Sequence, residues 1–245
     1  MYEIRLAMCV FLNMKDISLF EEKIGVHFID KSLILTALTH RSYINENPNV
    51  ETGHNERLEF LGDAVLELVI TRYLFDKYPK KPEGELTAYR SSLVNTISLA
   101  ESGEILGIND YLLLSKGEAK DAGRARQHII ANAFEAIIGA IYLDHGYDFA
   151  ERFISETLYG KTDEIVKKGL WRDGKSWVQE KSQEEYGLTP AYSVLQETGP
   201  DHDKNFVAGI YFGEELIAKG RGKSKQEAEQ NAARAAIEVK GWIGE

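Results

Sequence analysis

The chain has 245 residues, 43% of them hydrophobic and 28% charged, the composition of an ordinary globular protein with one large domain or two of medium size. A single cysteine, Cys9, excludes an internal disulfide framework and predicts a reducing, cytoplasmic setting. No apolar run approaches the roughly 18 residues of a membrane span, so a soluble protein with no membrane partner is expected. The formal net charge of −10 argues against a polyanionic partner unless basic side chains cluster locally or metal cations are recruited.

Met1 to Met14 is largely apolar but lacks a small-residue cleavage site, and reads as an extension, with Met14 as an alternative start. From Ile17 to about Leu158, apolar residues recur at three- and four-residue spacing, with Gly and Pro between segments, which predicts helices joined by short turns. Asp30 stands as the N-cap of the Ser32 to Thr39 segment. No alternating, strand-like pattern occurs in this stretch. Residues 15–160 are therefore expected to form an all-α domain.

Lys161 to Gly174 is charged, contains Gly169 and Gly174, and reads as a linker with some residual helix over residues 161–174. A helix from about Ser176 to Tyr186 then leads to Pro190. Strand candidates follow at Ala191 to Glu197, Phe206 to Phe212 and Glu215 to Ala218, the last two joined by a tight Gly213-Glu214 turn. Ser224 and Glu227 form an S-x-x-E capping box that starts a final helix running to about Lys240. The expected fold class is multidomain: the all-α domain, then an α+β (α-β-β-β-α) module over residues 175–243.

The most informative stretch is NERLEFLGDAVLEL, Asn55 to Leu68. Its apolar residues fall on almost every side of a helix, which predicts extensive burial. Glu56, Glu59 and Asp63 sit within it on one face. Unpaired carboxylates in an apolar setting cost several kcal/mol each. Such a cluster calls for something cationic. In Ile129 to Asp144, Asn132 and Glu135 repeat the arrangement, one turn apart on a second buried helix. Packed face to face, the two helices would offer Glu59, Asp63, Asn132 and Glu135 as an all-oxygen set. That donor chemistry suits Mg²⁺, with Mn²⁺ as a substitute, rather than zinc. The competing reading is a set of structural ion pairs with Arg57 or Arg90, which predicts thermal stability indifferent to Mg²⁺.

ERLEFLGDA, Glu56 to Ala64, resembles the signature of the ribonuclease III family almost letter for letter. Further matches are THRSY (Thr39 to Tyr43), EGELTAYRSSLV (Glu83 to Val94), KGEAKDAGRAR (Lys116 to Arg126) and FEAIIGAIYLD (Phe134 to Asp144), so the resemblance covers about Lys15 to Val239. It implies an endoribonuclease for double-stranded RNA, such as rRNA and mRNA precursors. Cleavage by a divalent-metal-activated water would leave 5′-phosphate and 3′-hydroxyl ends. By the same resemblance Glu59, Asp63, position 132 and Glu135 form the metal site, with Asp63 and Glu135 catalytic. Glu56 and Glu83 match acidic positions supporting the site or the dimer interface, and the family works as a homodimer. Asn132 departs from the usual aspartate: its amide oxygen can coordinate but brings no charge. The alternative that follows is a catalytically impaired protein that only binds duplex RNA. Ser115, where glycine is common, is read as neutral.

The C-terminal module resembles the double-stranded-RNA-binding domain, which reads A-form shape with little sequence readout. The matches place Gln179 and Glu180 on the first helix, His202 in the GPDH loop from Gly199, and Lys223 and Lys225 at the phosphate-facing start of the last helix. Unaided by resemblance, Lys219, Arg221, Lys223 and Lys225 gather where backbone N–H groups and the helix dipole favour anions, although a solvated basic turn has the same composition. Gln226 stands where the family carries a second adjacent lysine, which predicts one phosphate contact fewer.

Overall fold

The computed structural model describes residues 17–50, 52–120, 122–167, 169, 171, 173–200 and 204–242. Internal contacts divide the chain into two units, with the break after Thr162.

The first unit is helical among the described residues. Its helices are α1 (Ile17–Ile24), α2 (Lys31–Ala37), α3 (Arg41–Glu46), α4 (Glu56–Lys77), α5 (Glu83–Leu93), α6 (Thr96–Ile105), α7 (Arg124–His145) and α8 (Tyr147–Leu158). Asp30 caps α2 as expected, its carboxylate accepting from Ser32 N at 2.9 Å. The hub is α7, which packs against α2, α4, α6 and α8. Its whole middle, Ile129 to Ile141, is apolar and buried apart from Asn132 and Glu135, which are half-buried. Each fully buried Ile or Phe there contributes about 1.5–3 kcal/mol.

Burial of α4 differs from the sequence expectation. Leu58, Val65, Leu66, Val69, Ile70 and Leu74 face the core, but Phe60, Leu68 and Phe75 are 80%, 58% and 68% exposed. These exposed residues recur at multiples of about one turn along a single side. The helix is apolar on two faces, and its own unit covers only one of them. Sequence pattern reads the two faces alike.

A short helix, α9 (Thr162–Lys167), follows within the expected linker. The second unit carries α10 (Gly174–Tyr186), β1 (Ala191–Thr198), β2 (Asn205–Phe212), β3 (Glu215–Gly222) and α11 (Lys225–Lys240). The strands form an antiparallel sheet in the order β1-β2-β3. Gly213, at φ +63°, makes the tight turn between β2 and β3, where a side chain would be strained. β3 runs four residues beyond the Ala218 expected, because Lys219 to Gly222 continue its pairing with Gly209 to Phe206. The sheet packs its inner face against α11: Ile210, Phe212, Val178, Ala232, Ala233, Ala236 and Trp242 form the core. Small residues on α11 are what let it lie close to the sheet. A Cβ on Gly220 would stand 2.1 Å from Ala232 N.

Candidate functional site

The acidic cluster is built where α4 crosses α7. The start of α4 is anchored by the buried Asn55, whose N–H donates to Thr39 O at 2.9 Å while its carbonyl accepts from Glu59 N at 2.9 Å. Glu56 and Glu59 therefore occupy the first turn, where the positive end of the helix dipole favours negative charge. One turn later the two helices come together at glycine. A Cβ on Gly62 would lie 1.8 Å from Glu135 O, and one on Gly139 would lie 2.2 Å from Leu58 O. Only bare backbone on both helices permits this approach, and it brings Glu59 and Asp63 opposite Asn132 and Glu135.

The electrostatics follow from that approach. Burial pushes the Glu135 carboxyl up to about 8, and the charges of Asp63 and then Glu59 push the same way. Glu59 is also held above its ordinary value, by burial first and then by Glu56 and Asp63, with a hydrogen bond from Asn132 opposing the rise. Asp63 is raised by burial and by Glu67, one turn further along α4. The ion-pair reading is not met: Arg90 donates to Thr71 Oγ1 at 2.8 Å, and among the described residues Glu59, Asp63 and Glu135 have no Lys, Arg or His partner. The donor set is three carboxylates and one amide, which fits a hard divalent cation. Among the described residues no three acidic, imidazole or thiolate side chains are drawn tightly enough together to enclose a metal as they stand. Like charges brought this close repel one another, and a divalent cation between them would relieve that repulsion.

The two supporting acids part company. Glu56 sits beside the cluster and pairs with Arg41 Nη1 at 3.3 Å, with His54 Nδ1 3.7 Å from its other oxygen. Glu83 accepts from Thr87 Oγ1 at 3.0 Å and lines a pocket of about 440 Å³ with Thr71, Phe75 and Arg90. That pocket begins eight residues past Asp63, about 12 Å along α4.

In the second unit, Gln179 and Glu180 are exposed on α10 and line an open hollow with Ser176 and Gln183. Ser224 Oγ accepts from Glu227 N at 3.1 Å, and the Glu227 carboxylate accepts from Lys223 N at 2.9 Å, which fixes the first turn of α11. Asn231 Nδ2 donates to Arg221 O at 2.7 Å, tying the end of β3 to that helix. Lys219, Arg221, Lys223 and Lys225 are thereby exposed around one helix N-terminus, with Lys225 Nζ 5.9 Å from the Phe206 ring centroid. His202 lies outside the described residues. Local sequence pattern assigns no role to Gly62, Gly139, Glu67 or Asn55. The one available signal was an isolated glycine inside each strongly apolar helix.

Known proteins show the same division. A family model described as Ribonuclease-III-like matches residues 30–162, and the double-stranded RNA binding motif matches residues 175–240. The chain is 46% identical over 224 residues to Ribonuclease 3 of Natranaerobius thermophilus, covering 91% of this chain and 96% of that protein. It is 47% identical over 220 residues to Ribonuclease 3 of Carboxydothermus hydrogenoformans, covering 89% and 93%. The solved nuclease domain of ribonuclease III from Campylobacter jejuni matches with TM-score 0.52 at 42% identity, over 58% of this chain and 96% of that one. No described helix is long and apolar enough to cross a membrane. With matches of this extent on both units, the chain belongs to the ribonuclease III family of double-stranded-RNA endoribonucleases.

Proposed function

We propose that this enzyme hydrolyses phosphodiester bonds of duplex RNA, such as rRNA and mRNA precursors in the cytoplasm, at the crossing of α4 and α7, leaving 5′-phosphate and 3′-hydroxyl ends. The observation that carries the reading is Glu135, a carboxyl pushed up to about 8 by burial and two neighbouring acids, with no basic partner. Glu59, Asp63, Asn132 and Glu135 would hold Mg²⁺, with Mn²⁺ as a substitute. A cation bound there supplies Lewis acidity toward the phosphoryl oxygen and a nucleophilic water at neutral pH. Asp63 and Glu135, from opposite helices, clamp the reacting region; Asn132 holds Glu59 by its hydrogen bond. Glu56 supports the cluster from the first turn of α4.

The second unit grips the duplex independently of sequence. Lys223 and Lys225 face phosphates, while Gln179, Glu180 and the loop bearing His202 reach into minor grooves. The uncovered side of α4, with Phe60, Leu68 and Phe75, supports a homodimer, since a monomer seldom leaves such a stripe in water. The pocket that Glu83 lines opens beside Phe75, which supports a role for Glu83 at that interface.

A gel assay of the purified protein on a perfectly paired duplex, with Mg²⁺, with Mn²⁺ and with chelator, tests the proposal. Metal-dependent cutting of duplex but not single-stranded RNA is expected with Asn132 in place. Binding without cutting, restored by Asn132→Asp, would instead favour the binding-only alternative.

A further inference from the structure

Beside the acidic cluster, an open hollow of about 270 Å³ lies between α3 and the start of α4, lined by Arg41, Ile44, Asn45, His54 and Glu56. Its walls are fixed by backbone: Asn55 N donates to Thr39 O, and His40 N and Leu113 N exchange bonds with Leu113 O and Leu38 O, at 2.9–3.0 Å. Arg41 and His54 approach the two oxygens of one carboxylate, Glu56, at 3.3 and 3.7 Å. The distance to His54 is too long for a hydrogen bond, and His54 Nδ1 is buried with no hydrogen-bond partner. Asn45 is exposed. The set thus combines a guanidinium, an imidazole, an amide and an acceptor-only carboxylate.

A phosphate alone suits this hollow poorly. It would compete with Glu56 for Arg41 and be repelled by the carboxylate. A ribonucleotide unit suits it better, because the neutral 2′-hydroxyl can donate to Glu56 while accepting from the Asn45 amide, which offsets the repulsion of its single-charged phosphodiester as that meets Arg41 from the open side. The 2′-hydroxyl, donor and acceptor at once, is the group that tells RNA from DNA at a given position. Glu56 precedes Glu59 by three residues, about 4.5 Å of helix rise, so a nucleotide held here lies next to the reacting one.

We propose that the hollow of Arg41, Asn45, His54 and Glu56 is a ribose-phosphate subsite that reads one 2′-hydroxyl adjacent to the cleaved bond. This rests on the endonuclease reading above. The subsite makes the helical unit itself a discriminator of RNA from DNA, in addition to the second unit.

The test is a scan of duplex substrates with one defined cut, each carrying a single 2′-deoxynucleotide at one position flanking it. Single-turnover cleavage and equilibrium affinity in chelator are both measured, for the full-length wild type, Glu56→Ala and Asn45→Ala. A hydrogen bond to a charged group supplies about 1.5–3 kcal/mol, so one position should show a rate or affinity penalty of about 10-fold or more in the wild type. That penalty, and no other, should shrink to about 2-fold in Glu56→Ala and be reduced in Asn45→Ala, an exposed change that leaves the fold intact. A penalty map unchanged by both variants, or one with no sensitive position near the cut, overturns the subsite. Failure of the wild type to cut any duplex would overturn the endonuclease reading instead, and the affinity measurements would still decide whether the 2′-hydroxyl is read.

Discussion

Gly62 and Gly139 in the helical unit and Gly220 in the C-terminal unit do the same mechanical work for opposite charges. In the first, backbone contact between α4 and α7 gathers Glu59, Asp63, Asn132 and Glu135 in a half-buried place. In the second, backbone contact between β3 and α11 gathers Lys219, Arg221, Lys223 and Lys225 in the open. The consequences diverge. Burial and mutual repulsion raise the acids' pKa values, so their charged forms are disfavoured where no cation balances them. The exposed lysines lose little solvation and can meet an extended polyanion, at the cost of screening by salt. An acidic protein of net charge −10 can bind RNA because its acidic and basic clusters belong to different units and are handled differently.

The comparison breaks most severely at the crossing. Gly62→Ala adds a Cβ within 1.8 Å of Glu135 O, so the helices must part. Overpacking of this kind costs about 1–3 kcal/mol or more, and a shift of about 1 Å at a positioned site can cost 100-fold in rate. Cleavage should fall at least that far, and the rise in Tm on adding Mg²⁺ should shrink with it, while duplex affinity in chelator is nearly kept. Cleavage within a few-fold of wild type in a folded Gly62→Ala protein would show that the close approach does not set the site.

Glu135→Gln keeps the shape and removes the charge. Cleavage should drop more than about 100-fold, with duplex affinity within 2-fold. Stability gives a second reading. The folded-state value of about 8 lies above the ordinary carboxyl value of 4.5, so the folded protein binds the proton more tightly. The stabilisation this provides is complete below 4.5 and is lost as pH rises through 8. Metal-free wild type should therefore lose Tm between pH 5 and 8.5, and Mg²⁺ should restore it at the alkaline end. In Glu135→Gln the slope should flatten and the Mg²⁺ response weaken. Identical melting profiles for the two proteins would argue that the carboxyl is not held near neutrality.

Much of this was legible in the residues. The order of helices and strands and the Asp30 and Ser224 caps follow from local spacing, which secondary structure obeys directly, whereas Glu59 and Asp63 were expected to face Asn132 and Glu135 only on the condition that the two helices pack together. What escaped depended on tertiary approach. Apolar residues all round α4 look the same whether covered by the chain's own core or left for a partner, so the exposure of Phe60 and Leu68 was not foreseen. Gly62 and Gly139 matter through what lies opposite them, which no single segment reveals. Glu83 was grouped with Glu56 by resemblance, yet it lies in a different pocket.

On the exposed side of the comparison, effects should be smaller and depend on salt. Lys225→Ala removes one phosphate contact, so duplex affinity should fall a few-fold and the slope of log K against log salt should decrease by about 1. Lys223→Ala should do the same. Binding titrations over a range of salt would expose a different outcome at once: an unchanged slope means that these lysines form only a solvated turn.

Asn132→Asp sharpens the buried side by changing it least. The substitution removes the amide that donates to Glu59 and adds a fourth carboxylate to three that already repel one another. Without metal, the loss of the donor and the added like charge act in the same direction, so Tm at pH 8 should fall slightly below wild type. With metal, the extra charge acts in the opposite direction, and the Mg²⁺ concentration for half-maximal cleavage should drop a few-fold. Those opposite signs separate a cation site from a structural acid cluster, because repulsion alone would lower stability with or without Mg²⁺. A melting curve and a Mg²⁺ titration on the same preparation decide between them. If Asn132→Asp lowers Tm equally in chelator and in Mg²⁺, the four residues do not share a cation.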